Sequence, residues 1–176
     1  MPSFEISERD SSSKLNTKNQ QQSSTKFLPA YDSSLIGALQ SDHEEIIYLY
    51  DKVLNAAMNK EYASLQLLLV EFASSFTNHI HVEDVKLYGF LKTLVRNKCH
   101  LEQRVVANFC SEMKNTSISI FTFLSQSPYI PVKENTLEYF IKEFSEIGVI
   151  LQDRIEREER ILYPIYRKSR KVINIS

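Results

Sequence analysis

Apolar residues recur at every third or fourth position through four long runs of this chain, and only three glycines interrupt its 176 residues. That period is the one an α-helix needs to bury a single face, so the pattern constrains the fold more than any motif does. The first run follows the N-cap candidates Asp32, Ser33 and Ser34 and carries Ile36, Leu39, His43, Ile46 or Ile47, Tyr50, Leu54 and Ala57 inward, to about Met58. The second, from beyond Asn59 to about Asn97, carries Leu65, Leu68 or Leu69, Phe72, Phe76, His79, Glu83, Leu87, Phe90 and Leu91. The third, from about Cys99 to Gln126, carries Leu101, Val105, Phe109, Met113, Thr116, Ile120 and Phe123 or Leu124. The fourth opens with Asn135 and Glu138 as a cap pair and carries Leu137, Phe140 or Ile141, Phe144, Ile147, Leu151, Arg154, Glu158 and Leu162. Pro164 is expected to kink or end it within a turn or two. With breaks at Arg96-Asn97-Lys98 and at Ser127 to Pro131, four such helices predict an all-α, up-down-up-down four-helix bundle over residues 33–172.

Residues 1–32 are different in kind. They are rich in Ser, Gln and Asn, offer little to bury, and are expected to form a disordered tail. The remaining chain has no apolar run near the roughly 20 residues of a membrane span, and its start lacks the apolar core of a signal peptide, so a cytoplasmic protein with no membrane contact is expected. A formal net charge of −1 gives no reason to expect direct nucleic-acid binding. The basic cluster Arg167-Lys168-Ser169-Arg170-Lys171 reads as a complement to the negative end of the last helix. On one helix, Cys99 and Cys110 would stand about 16 Å apart, too far for a disulfide, and both are read as reduced thiols in or beside the core.

Polar residues inside the apolar stripes are where a function is needed. His79 and Glu83, four apart, project from one helical face and place a nitrogen and an oxygen donor within reach of a common ion. His43 lies on the inner face of the first helix and Glu158 on that of the fourth, so His43, His79, Glu83 and Glu158 are candidate metal ligands on three helices. His81 falls on the other side of its helix and is read as a surface or interface residue.

The fourth helix also repeats the frame of the second. Glu83-Asp84-x-x-Leu87-Tyr88-Gly89 is answered by Glu158-Glu159-x-x-Leu162-Tyr163-Pro164, with Arg154 where the second histidine would stand. Matching Met113 to Leu39 and Ile120 to Ile47 or Ile46 sets Thr116 opposite His43. A symmetrical two-metal site would need ligands at both places. Arginine offers only donors and a permanent positive charge, so one ion at most is expected, and the remaining nitrogen and oxygen donors suit iron, as Fe(II), or Zn(II).

Asp42-His43-Glu44, His79-x-x-x-Glu83-Asp84-x-x-Leu87-Tyr88 and Glu158-Glu159-x-x-Leu162-Tyr163-Pro164 resemble the motifs of hemerythrin-like (HHE cation-binding) domains over about residues 34–168. Such domains are helical bundles with a non-haem di-iron centre that bind oxygen, or sense or store iron and diatomic gases. The resemblance assigns metal ligation to His43, His79, Glu83 and Glu158 and leaves Thr116 and Arg154 as replacements in the metal site. Ile147-Gly148-x-x-Leu151-x-x-Arg154-x-x-x-Glu158-Glu159-x-x-Leu162, with Asn78-His79 and Asn115-Thr116, is similar to the regulator-of-sigma-D (Rsd/AlgQ) family of four-helix anti-sigma proteins.

The two resemblances imply different functions. The first expectation is a non-enzymatic regulatory protein that binds an RNA polymerase sigma factor or another transcription regulator, with Asp42, Glu44, Glu45 and Asp51 as a candidate face. The alternative is a metal-binding protein that binds or senses iron, oxygen or nitric oxide. No nucleophile constellation or phosphate loop argues for an enzyme.

Overall fold

The computed structural model describes residues 30–97, 100–126 and 132–173, and within them the chain is an all-α bundle of four rods. The first rod is α1, Leu35–Met58. The second is α2, Tyr62–Val82, continued through a π-helical stretch Glu83–Tyr88 into α3, Gly89–Leu94, and a 3-10 turn Val95–Asn97. The third is α4, His100–Gln126. The fourth is α5, Leu137–Arg157, continued through a second π-helical stretch Glu158–Leu162 into α6, Tyr163–Ile173. Among the described residues the only breaks in the first and second rods' hairpin are Asn59, Lys60 and Glu61, where Lys60 adopts φ 58° and turns the chain back.

Two apolar clusters fill the bundle. At the end where α1 turns into α2, Val53, Leu65, Leu69, Phe72 and Phe76 meet Ile120, Leu124, Phe140, Phe144 and Ile147. At the other end Leu35, Ile36 and Leu39 meet Leu87, Leu91, Phe109, Met113, Leu162, Tyr163 and Tyr166. The start of the first rod thus lies beside the end of the second and fourth, as alternating directions require. Between the clusters sits a layer of buried polar side chains.

Both π-helical stretches begin at a glutamate of that layer, and the sequence shows why. Inward residues recur every four at 79, 83, 87 and 91, and again at 154, 158, 162 and 166. In an α-helix each step of four overshoots a full turn by about 40°, so three such steps would carry the last residue off the inner face. A wider i→i+5 turn takes up the surplus.

The same widening explains why Pro164 does not end the fourth rod, one of the two outcomes expected of it, since the helix runs on to Ile173. Pro164 stands directly after the π-helical stretch, where the carbonyl four residues back is already out of straight α-helical register, so the usual ring clash is relieved. The cap pair Asn135–Glu138 also fails to form. Residues Glu134–Thr136 make a 3-10 turn instead, closed by the Thr136 hydroxyl accepting from the Lys133 amide at 3.0 Å, and α5 starts at Leu137. At the start of α1 it is Asp32 that accepts, from the amide and hydroxyl of Ser34 at 2.9 and 2.7 Å.

The boundary drawn at residue 32 moves. Tyr31 stacks on Tyr166 with ring centroids 5.0 Å apart, and the Asp32 amide donates to the Tyr166 hydroxyl at 2.8 Å, so both belong to the bundle. Of the other expectations, residues 1–29, Cys99, the side chain of Leu101 and the break at Ser127 to Pro131 lie outside the described residues. Cys110 is buried, and burial pushes its thiol up. Among the described residues no helix is long and apolar enough to cross a membrane.

Candidate metal centre

Five charged or ionisable side chains from three rods, His43, His79, Glu83, Arg154 and Glu158, are 3% exposed or less in the layer between the two apolar clusters. The imidazoles of His43 and His79 face each other with their Nε2 atoms 3.2 Å apart. Their Nδ1 atoms point outward, that of His43 to Glu159 Oε1 at 2.8 Å and that of His79 to Asp42 Oδ2 at 3.5 Å. Around the facing nitrogens stand Glu158 Oε2, 3.4 Å from His43, and Glu83 Oε2, 3.6 Å from His79. One ligand atom from each of His43, His79, Glu83 and Glu158 lies within 4.8 Å of all the others, so the group could hold a metal ion.

The donor chemistry fits a cation. A neutral imidazole that donates from Nδ1 presents a lone pair at Nε2, and two such lone pairs at 3.2 Å repel unless a proton or a metal ion lies between them. A second proton on His79 is disfavoured, since burial, then His43 and Arg154, hold its pKa down at about 3, so the pair is relieved either by a neutral His79 with its N–H on Nε2 or by a metal ion. Glu158 Oε2, aimed at the same space, is a buried oxygen without a hydrogen-bond partner. Such an atom is costly to bury, and a bound cation is the group that would satisfy it.

Arg154 fills the other half of the layer. Its Nη2 lies 2.6 Å from Glu83 Oε2 and 2.9 Å from Glu158 Oε1, while its Nη1 donates to the Met113 carbonyl at 2.9 Å and to Ser117 Oγ at 2.6 Å. Burial opposes the guanidinium charge, but Glu158 and Glu83 outweigh it and hold the group firmly protonated. Burial, and then Glu158, push the Glu83 carboxyl well above the usual carboxylate range against the pull of Arg154.

Two tyrosines close the layer by crossing it. Tyr88 from the second rod donates to Glu158 Oε1 of the fourth at 3.1 Å, and Tyr163 from the fourth donates to Glu83 Oε1 of the second at 3.3 Å. Burial, with Glu83 and Glu158 adding to it, raises both phenols far above their ordinary value and keeps them as donors. Neither tyrosine was singled out by sequence reasoning, although both stand at the same place in the repeated frame, five residues after its glutamate.

Thr116 is not the residue opposite His43. It is half-buried, and its hydroxyl donates to the Glu112 carbonyl of its own helix at 3.1 Å, whereas Ser117 is buried against Arg154. After Met113, helical periodicity falls between 116 and 117, and both are hydroxyl residues, so the stripe alone does not choose. The finer signal was the matching itself: Met113 with Leu39 and Ile120 with Ile46 puts Ser117, not Thr116, on His43. The same slip placed Val105 inward, where Val106 is buried and Val105 is 48% exposed.

The remaining positions divide cleanly. His81 is exposed, as are Glu44, Glu45 and Asp51, while Asp42 turns in to His79 and so serves the buried layer as well as the α1 surface. Arg167 reaches Gln40 at 2.9 Å, tying α6 to α1. No family model, curated protein or solved structure matches this chain.

Proposed function

We propose that this protein is a non-enzymatic, mononuclear metal-binding bundle that takes up one divalent transition-metal ion, Fe(II) or Zn(II), on His43, His79, Glu83 and Glu158. The observation that carries the reading is the pair of imidazole Nε2 atoms set 3.2 Å apart beside Glu158 Oε2, a buried oxygen with no hydrogen-bond partner. Two nitrogen and two carboxylate donors suit borderline ions of this kind. Once bound, the ion would neutralise the carboxylates and tie three rods together. The resemblance to hemerythrin-like domains supports iron and a binding or sensing role.

The single-ion limit comes from Arg154. Its guanidinium stands where a second ion would have to sit, and like unit charges about 4 Å apart repel by roughly 4 kcal/mol even at an effective dielectric near 20. A metal ion carries more than one.

The Arg154 ion pairs also support a second reading. They satisfy much of the layer without any metal, as a regulatory bundle similar to the regulator of sigma D would need, with function on the outer helix faces and a sigma factor or other transcription regulator as the partner. Melting the chelator-treated protein with and without added Zn(II) or Fe(II) separates the two. The metal-binding reading expects the ion at 100 times its Kd to add about 2.7 kcal/mol of stability. An unchanged melt, together with stoichiometric recovery of a sigma factor on the immobilised chain, would favour the second reading.

A further inference from the structure

We propose that Glu159 and Asp42 are positioning residues of the metal centre, each fixing one ligand imidazole with its Nδ1 outward and its Nε2 towards the ion. The proposal rests on the metal-binding reading above and adds to it residues that touch no ion themselves.

The geometry is that of an outer support. The side chains of Glu159 and Asp42 are 37% and 40% exposed, while the imidazoles they touch are 3% and 2% exposed, so carboxylates at the rim reach rings within. A histidine can carry its proton on either nitrogen, and only the Nδ1–H form offers Nε2 as a ligand here. A carboxylate at Nδ1 selects that form, holds the ring plane, and makes Nε2 a better donor.

The two supports cross-brace the rods. Asp42 is on α1 and holds the His79 of α2, while Glu159 follows the ligand Glu158 and holds the His43 of α1. A glutamate followed by a second acid also occurs at Glu83-Asp84, but the buried residue on the facing rod there is Ser117, which has no ring to orient, and Asp84 is exposed. An acid beside the ligand glutamate therefore turns in where there is an imidazole to meet. Glu159 should matter more than Asp42, because 2.8 Å is a full hydrogen bond and 3.5 Å is at its outer limit.

The test is titration of the chelator-treated full chain with Zn(II) and with Co(II), whose visible bands report the coordination geometry, alongside metal-free melting curves. Glu159→Ala is expected to weaken binding about 10- to 100-fold and to alter the Co(II) bands, Asp42→Ala to weaken it less, and Glu159→Gln, which keeps an acceptor but no charge, to fall between Glu159→Ala and the unmodified chain. Glu44→Gln removes the same charge from the exposed face of α1 and should change affinity by no more than about twofold. The metal-free melting temperature should fall modestly in Glu159→Ala, which leaves the buried His43 Nδ1–H without its acceptor, and stay close to that of the unmodified chain in Glu159→Gln, whose amide oxygen still accepts.

Glu159→Ala binding as tightly as the unmodified chain, or no more weakly than Glu44→Gln, would overturn the proposal. So would Co(II) bands left unchanged in Glu159→Ala beside a lower metal-free melting temperature, which would make Glu159 a prop of the fold alone. If the unmodified chain takes up neither ion, the metal-binding reading fails first, and this inference with it.

Discussion

Arg154→Ala is expected to destabilise the metal-free protein by about 3–5 kcal/mol, because it removes one partner from a buried ionic cluster and leaves the others in place. Glu83 Oε2 and Glu158 Oε1 would lose their 2.6 and 2.9 Å contacts, and Ser117 Oγ its 2.6 Å one, in a layer closed off by apolar clusters at both ends. In a chain of this size the melting temperature should fall by about 6–20 °C. Added Zn(II) should restore part of the loss, since a doubly charged ion neutralises the same two carboxylates. A melt within about 2 °C of the unmodified protein would show that the cluster is not held as described.

The second large effect is in stoichiometry. Arg154→His combined with Ser117→His is expected to raise metal uptake from one ion to two per chain and, with iron loaded in air, to add near-ultraviolet charge-transfer absorption. Position 154 precedes Glu158 by four residues as His79 precedes Glu83, and position 117 stands four after Met113 as His43 stands four after Leu39. The double change removes the fixed positive charge and supplies both missing imidazoles, with Asp84 placed as Glu159 is to support the new ring. Thr116→His in place of Ser117→His should not give a second site, because Thr116 lies beside the layer and bonds its own helix. Uptake that stays at one ion in the Ser117 variant would count against the pseudo-symmetry.

How much of this was legible in the sequence follows from which signals are periodic. Four apolar stripes specify four rods because burial of one helix face is a strong, repeated demand. Arg154 stood out because a guanidinium on an apolar stripe has few explanations. The π-helical turns were hidden, since a run of inward residues at spacing four looks like an ordinary stripe until the accumulated drift is counted, and the continuation of the helix past Pro164 was hidden for the same reason. Ser117 was lost to the ambiguity of one residue in a 3.6-residue turn. Glu159 and Asp42 were missed as supports because they are rim residues, and a stripe says nothing of side chains that reach in from its edge. That Tyr88 and Tyr163 cross the layer depends on which rods face each other at one level, which no single helix encodes.

One ion on two histidines and two glutamates beside a built-in arginine is the expected occupancy. It is tested most directly by the metal content of the unmodified protein, purified without chelators, loaded with excess Fe(II) or Zn(II) and freed of loosely held ion. The expected result is one ion per chain, falling to none in His43→Ala or Glu158→Gln. Two ions per chain, or no loss of binding in those variants, would contradict it.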